Sequence, residues 1–524
     1  MHRFATLLLL LLPAAALAQT TYTWVGGDGD WSGAANWSPN GVPGPGDTAH
    51  ILFDDDYTVT LDVDAEVEGL VIGGDGATTQ QLVAGTGRTL TLTGDGSVGP
   101  AGRLQLNNAT LDGGGHLANG GRLDLWGSTA NAAVTILDGA VLDVQRTSAL
   151  NGPFANQGSC TLAGSWFAGN QAILTVAEGF TNEGVILLYG DHSGTVHGRA
   201  TLAVTSGTLV NEGVLRASGD VDNAIEDNRH YLRAEVDNRG EIHARSRWLE
   251  VVSPGAQHVN RGRLTMDEDM AVLLSDGAFA FGPDTEIAGS GMVRVWDDAD
   301  ATFESGASVT SALDVRPFTP AVKVLGRLTP ASLALITGSG TFALGLGGSP
   351  GSGDYGRIEA AGLAQIGYTL TLTLENGHVP QVGDVYTLVT GNPISGTFAP
   401  AVDTPDGLEV TLEQTASAVT ATVTGVPVAN EPVADPPAGV TLHAPSPNPA
   451  SHQATVAFEL ARSGRVEVAV YDVLGREVAV LVDGVQPAGR HEAVLDAPGL
   501  PGGVYLVRLT TEAGGVTRRL TLLR

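Results

Sequence analysis

The sequence predicts an almost wholly β chain: a right-handed parallel β-helix, or solenoid, followed by a small immunoglobulin-like β-sandwich. Short runs alternate Thr or Val with Leu, as in residues 89–93 and 368–374. Period-two alternation puts one side of each run against a core. Glycine is frequent (71 residues) while 43% of residues are apolar, which suits many short strands separated by tight turns rather than a helical enzyme. A unit Asn-x-Gly-x-apolar also recurs along the middle of the chain, and repetition at a period of tens of residues marks stacked coils.

The repeat begins at Asn119, Asn156, Asn182, Asn211, Asn238 and Asn260, with intervals of 37, 26, 29, 27 and 22 residues. Each interval reads as one coil whose length differences are absorbed by loops. Asn and Gly tolerate left-handed or tight backbone, so the unit reads as a corner, after which an apolar residue turns inward. That residue is Leu123, Cys160, Ile186, Leu215, Ile242 or Leu264. Cys160 therefore reads as a small buried hydrophobe rather than a reactive thiol. Residues 61–340 would form a rod of ten or more coils, about 50 Å long at ~4.8 Å per rung.

Such a rod needs covered ends. Residues 1–18 read as a signal peptide: His2 and Arg3, an apolar run over 7–12, then Ala16-Leu17-Ala18, with cleavage between Ala18 and Gln19. Residues 19–60 read as an N-terminal cap, with Trp24, Trp31 and Trp37 as an aromatic plug rather than a sugar platform. Their setting resembles the segment that opens secreted β-helical, autotransporter-like passenger proteins. Residues 341–425 resemble the ending of such passengers. Pro427, Pro432, Pro436 and Pro437 make 426–440 an extended linker.

Residues 441–524 hold several alternating runs punctuated by Gly475, Gly489 and Gly502-Gly503, the pattern of a small sandwich. Three motifs stand out: Pro447-Asn448-Pro449, Tyr471-Asp472 with Gly475, and Gly503 with Tyr505. The module resembles the type A sorting domain of the type IX secretion system. That resemblance implies the secretion machinery as partner, passage across an outer membrane, removal of the domain and attachment to surface polysaccharide or release. An autotransporter barrel would need many amphipathic strands of about ten residues, more than 84 residues supply.

The net charge of −30, with Lys323 the only lysine, excludes nucleic acid and anionic membranes as partners. No later run is long and apolar enough for a transmembrane helix. One cysteine excludes an intrachain disulfide. Asp62, Asp64, Glu66 and Glu68 alternate with other residues and read as one acidic strand face. They lack the turn glycine of an EF-hand loop, so calcium has no supporting pattern and no cofactor is expected. Gly347-Gly348-Ser349-Pro350-Gly351 imitates a hydrolase elbow, but Pro350 has no N–H to serve an oxyanion. No catalytic residues are assigned. The leading expectation is a structural or adhesin-like protein, secreted or held at the cell surface; the alternative is a polysaccharide-active β-helix enzyme or carbohydrate-binding protein.

Overall fold

The computed structural model describes residues 19–522 apart from 165–170, 191, 194–195, 220–228, 246–247, 317–320, 336–340, 399–403, 406, 427–439, 444, 449, 451–452, 473–475, 497–499 and 512–513. Residues 1–18, with Ala18 and the expected signal peptide, and most of the proline-rich stretch 426–440 lie outside the described residues. Contacts divide the chain into two units, Met1–Val426 and Pro427–Arg524.

The first unit is a parallel solenoid with three short strands per coil. One coil comprises Gly102–Asn107, Thr110–Asp112 and His116–Asn119; the next comprises Arg122–Trp126, Thr129–Ala130 and Ala133–Ile136, each strand parallel to its predecessor. Among the described residues, the first face is a 13-stranded sheet running from Gly29–Asp30 to Ser308–Val309. The second and third faces are linked because strands such as Met292–Phe303 bend through the corner between them. The stack continues past residue 340, where Thr341–Leu346 pairs with Thr369–Leu374 and Ala364–Ile366 with Ile394–Gly396.

Identical register from coil to coil stacks equivalent side chains. On the first face one inward column runs Leu104, Leu123, Leu142, Cys160, Ile186, Leu215, Ile242 and Leu264, all buried. Each aliphatic member contributes on the order of 1.5–3 kcal/mol by leaving water. Burial pushes the Cys160 thiol up to about 12, so it stays protonated and packs as an apolar group.

The repeated asparagines do not sit at left-handed corners. None of them has positive φ; the non-glycine residues that do include Asn108, Arg146, Asp276 and Asp297. Instead they end the strands of the third face and point inward, fully or almost fully buried. The Nδ2 groups of Asn156, Asn182, Asn211 and Asn238 donate to the Oδ1 of Asn182, Asn211, Asn238 and Asn260, at 2.5–2.7 Å. A side-chain amide has the same donor and acceptor as a peptide group, so a column at rung spacing forms its own ladder. The glycine two residues on is there for close approach. A Cβ on Gly184, Gly213, Gly240 or Gly262 would lie 2.0–2.1 Å from the preceding glycine's carbonyl oxygen.

The 37-residue interval is two coils, not one. Ile136 occupies the slot between Asn119 and Asn156, and an aliphatic residue there leaves no sequence mark.

Both ends of the stack are covered. Trp24, Trp31 and Trp37 are buried and meet edge to face, with centroids 5.0 and 4.9 Å apart. Thr21–Trp24 pairs antiparallel with Trp37–Ser38, and Trp37 Nε1 donates to the Trp31 carbonyl at 2.8 Å. At the other end, Val385–Thr390 pairs antiparallel with Ala418–Gly425, which pairs in turn with Glu409–Gln414.

Replacing Asn211 by Leu should lower unfolding stability by about 2–4 kcal/mol, because Asn182 loses an acceptor and Asn238 a donor inside the core. A denaturant midpoint unchanged from the parent would contradict the ladder. Burial also lowers the pKa of His230 and His258 to about 4. Unfolded histidine titrates near 6.5, so their stabilisation is complete above ~6.5 and is lost as pH falls from ~6.5 to ~4, at up to about 3 kcal/mol each. Melting at pH 7 and pH 5 should show this fall, and His258→Phe should reduce it.

Candidate functional site in the C-terminal module

Among the described residues, the second unit has seven strands in two antiparallel sheets. One is Val440–Leu442, Gln453–Leu460 and Gly489–Asp496; the other orders Glu477–Gln486, Gly464–Asp472, Gly503–Thr511 and Gly514–Leu522. Alternate residues of each sheet point inward, and Val456, Phe458, Val468, Val470, Val507, Leu509 and Leu520 fill the core between them.

The sequence motifs fall where this small sandwich is hardest to hold together. Gly514–Leu522 is an edge strand, with backbone groups open on one side. The Asn448 amide covers part of that edge by donating to the Arg519 carbonyl at 2.8 Å and accepting from the Thr521 N–H at 2.9 Å. Ala450 N–H adds a bond to the Thr521 carbonyl, so the leading loop stands in for a missing strand. Pro447 is exposed beside Asn448, and Pro449 lies outside the described residues.

Tyr471 and Asp472 end the strand Gly464–Asp472. The Asp472 carboxylate accepts from Arg476 N–H at 3.0 Å and from its Nε at 2.7 Å, which ties the end of the strand to Arg476. Gly475 itself lies outside the described residues. Gly503 begins the next core strand, and buried Tyr505 donates its hydroxyl to the Pro501 carbonyl at 2.8 Å. Among the described residues, the motif side chains are not brought into one pocket; they secure an edge, a strand end and a turn of the same sandwich.

Residues 446–522 match the family model described as the secretion system C-terminal sorting domain. The chain carries a type IX sorting domain. No curated protein matches the chain. The sorting domain makes this a secreted or cell-surface protein and the type IX machinery its partner. Among the described residues, no helix is long and apolar enough to cross a membrane.

On the solenoid, the acidic run at 62–68 is not one strand face. The strand Tyr57–Leu61 ends before it, residues 62–64 form a corner, and only Ala65–Val67 is strand again. Asp62 accepts from the backbone and hydroxyl of Ser32, while Asp64 accepts from Thr89 N–H, so they tie the corner to other coils. Among the described residues no three His, Cys, Asp or Glu converge to hold a metal. Gln19 is exposed, its Nε2 donating to Thr48 Oγ1 at 3.0 Å.

Sequence reading passed over Trp248 and Trp296. Their signal was available, since Trp248 and Glu250 flank inward Leu249 while Arg294 and Trp296 flank inward Val295, which sends all four outward.

Substituting Asn448 by Ala removes both side-chain bonds to the last strand. Hydrogen exchange at the Thr521 amide should accelerate and the sorting domain should lose about 1–3 kcal/mol. Unchanged exchange at Thr521 would contradict the edge-covering role.

Proposed function

We propose that the solenoid is a non-enzymatic, adhesin-like surface element, delivered to the outer face of the cell by its sorting domain and held there on surface polysaccharide or released. The observation that carries this reading is the join of a sorting domain to a parallel stack closed at both ends. A closed stack is a rigid spacer with long outer faces, suited to presenting a surface rather than enclosing a reaction.

Charge supports the same division of labour. The sorting domain holds eight arginines and eight acidic residues between 441 and 524, so the whole net charge of −30 lies in the rest of the chain. Like charge spread along the rod keeps it soluble and apart from its neighbours after export. Between the units lies a run with Pro427, Pro432, Pro436 and Pro437, suited to extended chain that a processing protease reaches.

Deleting residues 441–524 should abolish surface labelling of intact cells and leave the solenoid inside the outer membrane. Normal labelling of the deleted form would overturn the delivery role.

A further inference from the structure

We propose that the solvent side of the second face, around Arg294, is a binding site for a neutral polysaccharide. The proposal rests on the surface-display reading and names what the displayed rod holds.

The site spans five successive coils. Arg229 and Trp248 are neighbours on adjacent strands, as are Tyr231 and Glu250; beyond the strand Ala271–Phe281 lie Arg294 and Trp296, and then Asp314. The Arg294 guanidinium lies over both indoles, 4.9 Å from the Trp248 centroid and 5.5 Å from that of Trp296. Trp248 reaches it across the intervening strand, whose Ala271, Leu273 and Ser275 are only 2%, 1% and 2% exposed. The two indoles, each partly exposed, and the buried guanidinium between them thus form an aromatic roof on the outside of the rod.

Hydrogen-bonding capacity in this roof is unfilled. Arg294 Nε and NH2 and Arg316 Nε all converge on Asp314 Oδ2, at 2.7–2.8 Å. Asp314 Oδ1 has no partner, and neither has Trp248 Nε1; both atoms are shielded from water. An unfilled acceptor and an unfilled donor in one cluster are costly to leave, and a sugar hydroxyl supplies both kinds of partner once the side chains that cover these atoms shift. Aromatic rings and planar charged groups are also the surfaces on which a sugar's C–H faces and hydroxyls are held.

The charge balance selects a neutral ligand. Arg294 and Arg316 share the one carboxylate of Asp314, Arg229 is paired with Glu250 at 3.1 Å, and the single guanidinium charge left over is outnumbered by the carboxylates nearby. Asp276, Asp297 and Asp298 stand at the adjoining corner, where an anionic chain would be repelled.

The test is affinity electrophoresis of the purified full chain through gels containing dextran, laminarin, xylan or mannan, with alginate and pectate as acidic polymers. At least one neutral polymer should retard the protein. Trp248→Ala and Trp296→Ala should weaken that retardation at least tenfold, whereas Trp126→Ala, an outward tryptophan on the first face, should leave it unchanged. Trp248→Phe keeps a ring against Arg294 and removes the donor, so it should cost severalfold while melting like the parent. Retardation by acidic polymers alone, by none, or equally in the Trp248 and Trp296 variants would overturn the site. Surface labelling of cells is read in parallel: lost binding with labelling intact removes the site alone, and absent labelling removes the display reading.

Discussion

Parallel pairing between successive coils is the constraint on which the rest of the first unit depends. A coil meets its backbone donors and acceptors only through the coils before and after it. Once that pairing fixes the register, equivalent side chains must stack at the rung spacing of about 4.8 Å. The inward columns are then selected for like on like: aliphatic on aliphatic at Leu142, Cys160 and Ile186, amide on amide from Asn156 to Asn260. The amide column repeats in side chains what the backbone does beside it. The glycine column follows from the same spacing, because the carbonyl of the preceding glycine approaches positions 184, 213, 240 and 262 too closely for any Cβ.

A structure that satisfies itself only by neighbours has raw ends, and both units spend sequence on them. The solenoid uses a tryptophan cluster at one end and an antiparallel hairpin at the other. The sorting domain uses one amide: Asn448 binds the last strand as a peptide would. Outward positions carry no such duty, and for that reason Trp248, Arg294 and Trp296 stand out on the second face. Stacking alone would be served there by small polar residues, as it is in Thr369–Leu374.

Much of this was legible in the sequence. Alternation identified strands, the Asn-x-Gly unit identified coils, and the motifs around Asn448, Asp472 and Tyr505 identified the sorting domain. What the sequence concealed was why the repeat exists. Asn and Gly are turn residues by local preference, so the unit read as a corner; burial at rung spacing turned Asn into a ladder and Gly into a contact. Ile136 hid one coil because nothing distinguishes it from other apolar residues. The acidic run at 62–68 read as a strand face because alternation survives across a corner that only the coil geometry reveals. The aromatic roof was legible only in part: alternation sends its members outward, but they lie on different coils and meet only after stacking.

The central claim is that the C-terminal module is a self-sufficient address and the solenoid its cargo. The most direct measurement joins residues 1–18 and 427–524 to the two ends of an unrelated soluble reporter and asks where the reporter goes in cells with a working type IX system. The account predicts reporter on the surface or in the medium, and none there when that system is disabled. Reporter retained within the outer membrane while the native chain is exported would contradict it, by placing the address in the solenoid.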